Sequence, residues 1–237
     1  MASILESIVE AIRLLISLDP EVVGIAWLSL RVSGAATCVS ILLGVPAGVL
    51  LALNDFPGRR LVIGLVNTGM GLPPVVVGLI VSMLFWRSGP FGQFEMMYTP
   101  GVMIIAQVCI ALPIVTGLSL AAIQQLNPRL RLQSLALGAS KIQSMMLLVR
   151  ESRLPMLAAI MAGFGGVISE VGAVMMVGGN IKGQTRVLTT AMVLESRMGH
   201  FEMALALGIL LLGLSFGVNA VLTNLQQKGA RRWTGRS

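Results

Sequence analysis

Acids, histidines and thiols set the limits on what a chain can do chemically, and in this sequence they are sparse and scattered. Glu170 is the single acidic residue inside the apolar run Leu154 to Gly179, His200 is the only histidine and stands at the edge of another run, and Cys38 and Cys109 each lie within apolar stretches. Nucleophilic or general acid–base hydrolysis needs a nucleophile with a base, or paired carboxylates; no such set can be assembled here, which disfavours an intramembrane enzyme. Two separated cysteines give no disulfide framework and no thiolate metal cluster of the usual spacing. The segment Gly178-Gly179-Asn180-Ile181-Lys182-Gly183-Gln184-Thr185 is rich in turn formers. It lacks the Gly-x4-Gly-Lys-Ser/Thr phosphate loop, as does the rest of the chain, so ATP-driven work would require an ATPase on another chain. A carboxylate buried in apolar surroundings is unfavourable unless neutralised. Glu170 could pair with Arg31, stay protonated, or bond to backbone at a kink near Gly172, and a structural or gating role fits it better than contact with an anion.

The elements that would hold these residues are membrane spans. Of the 237 residues 55% are hydrophobic and 11% charged, with a mean hydropathy of +0.87; a soluble domain is about 25% charged. The net charge of +7 does not indicate nucleic acid, because the basic residues sit in short segments between apolar blocks. Five runs are long enough to cross a hydrocarbon core of ~30 Å: Trp27–Leu53, Leu61–Trp86, Gly101–Gln125, Leu154–Gly179 and Met203–Leu225. Ahead of them, Ile4, Leu5, Ile8, Ile12, Leu15 and Ile16 are spaced at a helical period among charges. This predicts an interfacial helix over Ser3–Leu18, with Asp19-Pro20 as a break. Arg59, Arg60, Arg129, Arg131, Lys141, Arg150, Arg153, Lys228, Arg231, Arg232 and Arg236 fall on one side of such a topology, against Arg13, Arg87, Lys182, Arg186 and Arg197 on the other. The positive-inside rule then predicts an outside N-terminus and a cytoplasmic C-terminus.

The chain thus divides into 1–25, the interfacial helix; 26–225, the membrane domain; and 226–237, a basic cytoplasmic tail suited to anionic headgroups. Within the membrane domain 126–153 is a long cytoplasmic connection, whose apolar positions among Arg129, Arg131, Gln133, Lys141 and Gln143 predict helices lying flat at the membrane edge and separated by Gly138-Ala139-Ser140. Gly178–Phe201 is the long connection on the opposite side. Gly44, Pro46, Gly48, the Gly71-Leu72-Pro73-Pro74 cluster, Pro113 and Gly117 predict close helix approach and kinks within the spans.

Several separated motifs resemble the permease subunits of ATP-binding-cassette importers for oxyanions. Leu28-Ser29-Leu30-Arg31-Val32, Phe56-Pro57-Gly58-Arg59, Leu72-Pro73-Pro74-Val75-Val76-Val77-Gly78 and Gly89-Pro90-Phe91-Gly92 match the first half of molybdate, sulfate and tungstate permeases. Ala162 to Ile181, running on to Gln184-Thr185-Arg186, matches their Glu-Phe-Gly-Ala and Gly-Asn-Ile-x-Gly-x-Thr segment. Val171 after the glutamate, paired methionines and paired glycines make it most similar to the tungstate branch. Leu132–Ser140 keeps the Gly-Ala-Ser core of the family's coupling loop and departs from its Glu-Ala-Ala opening.

The resemblance implies an all-α integral membrane protein of the inner membrane with the type I importer permease fold, binding no cofactor itself. It implies a homodimer working with two cytoplasmic ATPase subunits, which carry ATP and Mg, and with an extracytoplasmic substrate-binding protein. Leu137, Gly138, Ala139 and Ser140, flanked by Arg150 and Glu151, would form the ATPase-coupling element. Ser169, Glu170, Asn180 and Thr185 would lie along the translocation path, with Met175 and Met176 as an apolar gate or as core packing. Lys182 and Arg186 could steer the anion or pair with the binding protein. An ion-coupled secondary transporter is the alternative; it would need inverted repeats and a polar midplane site, and five spans do not divide into equal halves.

Overall fold

The computed structural model describes residues 8, 9, 12, 13, 16, 17 and 19–234, the side chains of 225 and 228–234 excepted. The expected interfacial helix Ser3–Leu18 and the side chains of the basic tail from Lys228 therefore lie largely outside the described residues.

Helix α1 runs Pro20–Leu53. It begins where the sequence placed a break: Asp19 Oδ1 accepts hydrogen bonds from the Glu21 and Val22 amides at 2.8 and 3.4 Å. Proline in the first turn loses no intrahelical bond. Its 34 residues extend about 50 Å, longer than a ~30 Å hydrocarbon core is thick. The run Leu61–Trp86, predicted as one helix, is two: α2 (Arg59–Met70) and α3 (Pro74–Phe85), bent by 104°. Pro73 and Pro74 have no amide hydrogen to continue the ladder, and Pro73 takes extended backbone. After a 3₁₀ turn at Gly92–Phe94, α4 (Pro100–Gln124) crosses the middle of the bundle. Then come α5 (Pro128–Ala136) and α6 (Lys141–Glu151), followed by α7 (Arg153–Ile168) and α8 (Gly172–Gly178), bent by 55°, then α9 (Leu188–Met198) and α10 (Phe201–Thr234).

Each bent pair crosses from one end of the bundle to the other. Arg59, opening α2, reaches the Leu51 carbonyl at the end of α1, whereas Trp86, just past α3, meets Tyr98 at the start of α4 edge-on at 6.4 Å. Leu154 in α7 accepts from Gln226 late in α10, and Val177 in α8 accepts from the Tyr98 amide. With α1, α4 and α10, the broken pairs make five crossings among the described residues. Half of the α4 span is buried against 11% for α10, so α4 is central and α10 peripheral. Small residues bring α1 and α4 together: a methyl group on Gly48 would stand 2.6 Å from the Thr116 carbonyl oxygen.

Candidate translocation path and coupling surface

The first candidate region is the break between α7 and α8. After Ile168 the helix stops, which frees the Val167 carbonyl in a buried setting. Gln107 of α4, itself buried, donates from Nε2 to that carbonyl at 2.9 Å, and the Glu170 amide adds a 3.3 Å bond. The Glu170 carboxylate then caps the restart of the helix, accepting from the Ala173 amide at 2.9 Å. Thr189 Oγ1 donates to the Glu170 carbonyl at 2.8 Å. Glu170 thus bonds to backbone at the kink, one of the routes the sequence left open. Among the described ion pairs none joins Glu170 to Arg31, which is exposed. The α8 segment lies against α3 at its smallest residue, since a Cβ on Gly78 would sit 2.6 Å from the Ala173 Cα.

Around this break Ser169 is exposed, its hydroxyl donating back to the Gly165 carbonyl at 2.7 Å. Met175 and Met176 are half-buried. Asn180 adopts a left-handed conformation at φ +52° and donates to the Thr190 carbonyl at 3.4 Å, its Oδ1 buried without a protein partner. Thr185 is fully buried: its hydroxyl donates to the Gly178 carbonyl and accepts from the Ile181 amide at 3.0 Å. It staples the Gly178–Thr185 turn shut. Lys182 and Arg186 both pair with Glu21 in the first turn of α1, at 2.6 and 3.6 Å. Sequence reasoning saw these two cations but not their partner, which lies far away in the chain. It also missed Gln107, and the helix α9, whose first residues Leu188, Thr189, Thr190 and Ala191 are buried. Ser29 of α1 accepts the Leu188 amide hydrogen at 2.8 Å.

The second candidate region, at the opposite end, is the α5–α6 hairpin. Ala136 ends α5, Gly138 turns the chain at φ +86°, and Ser140 starts α6 with a capping box: its hydroxyl accepts from the Gln143 amide at 3.2 Å, and its own amide donates to the Gln143 side chain at 2.8 Å. A bond of 2.7 Å between the Ser134 and Ser144 hydroxyls, both buried, ties the two helices together. Their inner faces close on α1, α4 and α7 through Leu130, Met145, Leu148, Val49, Ile123 and Met156. The outer face is apolar and uncovered: Leu137 is 88% exposed, with Leu132, Ile142 and Met146 each above 60%. Arg150 is exposed and Glu151 half-buried at the far end of α6, so they flank the hairpin without joining its crest.

The described residues thus form a bundle of up to five crossings, two of them broken, with a short helical hairpin at one end. Residues 44–231 match the family of binding-protein-dependent transport system inner membrane components, and the chain belongs to that family. It is 39% identical to the tungstate uptake system permease protein TupB of Peptoclostridium acidaminophilum, over 96% of this chain and 100% of that one. It is 44% identical to a probable anion ABC transporter permease protein of Haloferax volcanii, over 84% and 88%. Sulfate transport permeases match at lower identity, as in the 26% of CysT from Salmonella typhimurium over 92% and 81%. The MetNI methionine ABC transporter, solved facing inward, shares the fold with a TM-score of 0.72 at 19% identity, covering 88% of this chain and 96% of that one.

Proposed function

We propose that this chain is the membrane-spanning subunit of an ATP-driven importer for a tetrahedral oxyanion, with tungstate the leading cargo. The uncovered apolar crest around Leu137 carries the reading: it stands on a rigid, capped hairpin at the end of the bundle, a shape suited to insertion into a groove of another protein. That partner is a cytoplasmic ATPase subunit, which holds ATP and Mg. Two copies of this chain enclose the pathway between them, and an external binding protein delivers the anion to the end bearing Gly178–Arg186. In this arrangement the α5–α6 hairpin is cytoplasmic, the N-terminus is outside, and the C-terminus is inside, as the distribution of arginine and lysine favours.

The break at Glu170 fits a gate. The carboxylate caps the restart of the helix at the Ala173 amide, so it serves to shape the path, while Ser169 offers an exposed hydroxyl and Met175 and Met176 offer apolar bulk. Neutral donors suit an anion that must leave as well as bind. The test is uptake of labelled tungstate, molybdate and sulfate into proteoliposomes holding the complete complex. Nucleotide-dependent uptake with tungstate preferred is expected. Uptake without nucleotide would overturn the importer reading, and a preference for sulfate or molybdate would overturn the cargo.

A further inference from the structure

The last four carbonyls of an α-helix have no partners within it, and their combined dipole favours a nearby cation. Helix α1 has no basic residue in its own last turn. Two cations reach it from elsewhere. Arg59, the first residue of α2, donates from Nε to the Leu51 carbonyl at 2.8 Å and stands 3.8 Å from the Asp55 carboxylate. Arg131, in the middle of α5, donates from Nη1 to the Leu53 carbonyl, also at 2.8 Å. The second bond joins positions 78 apart in sequence and links the coupling hairpin to the longest central helix. At its other end, α1 is gripped through Glu21 by Lys182 and Arg186 of the Gly178–Arg186 segment. A single helix is therefore pinned by cations at both ends of the bundle, one set belonging to the hairpin and the other to the segment that follows the broken α7–α8 crossing.

We propose that Arg131, seconded by Arg59, is a positioning residue for transport: it ties the α5–α6 hairpin to the end of α1, so that displacement of the hairpin moves α1 as well as the hairpin's own neighbours. Apolar packing of Leu130 and Met145 near Val49 and Leu53 lets the elements slide past one another; a directed, charge-assisted bond to one carbonyl fixes their register. This inference rests on the importer reading.

The test uses the full complex with its ATPase, reconstituted in proteoliposomes with labelled tungstate. Arg131→Gln is expected to leave assembly and ATP hydrolysis near wild type while tungstate carried per ATP falls about tenfold, the equilibrium equivalent of one charge-assisted hydrogen bond. Hydrogen exchange gives the readout that a general loss of stability would not mimic. In the wild type, nucleotide binding should change exchange both in the hairpin, 137–146, and at the end of α1, 50–56; in Arg131→Gln the hairpin response should persist and the α1 response should vanish. Arg131→Lys, with a single-point donor, should recover part of both, and Arg60→Gln, which removes an exposed charge at the same end, should behave as wild type. Should Arg131→Gln fail to assemble, Arg131→Lys carries the test, a reduced ratio supporting the proposal. A wild-type ratio with an intact 50–56 response in the assembled variant overturns it. Uptake by the wild type without nucleotide would instead show that the importer reading itself fails, and the coupling role would fall with it.

Discussion

The two connections at opposite ends of the bundle are opposite in finish. Each turns on glycine at positive φ, Gly179 and Gly183 in one and Gly138 in the other. The Gly178–Thr185 turn is closed on itself and on its neighbours: Thr185 is fully buried, Gly179 lies beneath the Tyr98 ring, and Gly178 faces Met103. The α5–α6 hairpin is closed on one side only. Gly138 has nothing within 4 Å of its missing side chain, and Leu137 beside it is almost wholly exposed. The difference teaches that burial within a single chain separates a connection finished by its own fold from one whose apolar face awaits a partner.

Substitutions that treat the two connections alike should therefore give unlike results. Leu137→Asp places a charge on the crest, and we expect binding of the ATPase and uptake of labelled tungstate to fall by about tenfold or more, with unchanged helix content by circular dichroism. A loss of helix content would show that the crest belongs to the fold. Next in size is a matched pair. Gly179→Ala meets both a left-handed backbone at φ +68° and a Tyr98 ring carbon 2.8 Å from the new methyl, so we expect a loss of about 2–3 kcal/mol in unfolding experiments in detergent. Gly138→Ala meets the backbone penalty alone, about 1 kcal/mol. Equal losses at the two sites would erase the contrast. Thr185→Val keeps the shape and removes the hydroxyl that links the Gly178 carbonyl and the Ile181 amide; a destabilisation of about 2 kcal/mol follows.

How much of this could be read from the sequence depended on how local each cause is. The crossings among the described residues follow from apolar runs with at most one charge each, and Gly138-Ala139-Ser140 announces the hairpin turn because turn and cap preferences are properties of adjacent residues. The Pro73-Pro74 pair announces a kink but not a turn of 104°, an angle that depends on tertiary packing such as Gly78 against Ala173. Helix α9 escaped because its buried face is polar as well as apolar, Thr189 and Thr190 beside Leu188 and Ala191, which dilutes the periodic signal. Asn180 and Thr185 read as donors along a path, yet the fold spends Thr185 on its own turn. Gln107, Glu21 and Arg131 carry no local signature at all. Their partners, Val167, Lys182 and Leu53, become neighbours only after the helices have packed.

Two charged positions set the fine scale of the comparison. Glu170→Gln keeps an oxygen able to accept from the Ala173 amide, so folding should be retained within about 1 kcal/mol. The nucleotide-dependent uptake rate should nevertheless change, because the side chain at the proposed α7–α8 gate is altered, and wild-type uptake by this variant would remove Glu170 from the mechanism. The smallest effect belongs to Lys182. Its side chain is 67% exposed and shares Glu21 with the far less exposed Arg186, so water and salt screen most of its attraction. Lys182→Gln should shift stability by no more than about 0.5 kcal/mol at low salt, and the shift should shrink as salt is added. A larger loss would mean that the grip on the Pro20 end of α1 depends on Lys182 and not on Arg186, and the two ends of α1 would then be held by bonds of different kinds: a half-buried guanidinium on a carbonyl at one end and a solvent-facing ammonium at the other.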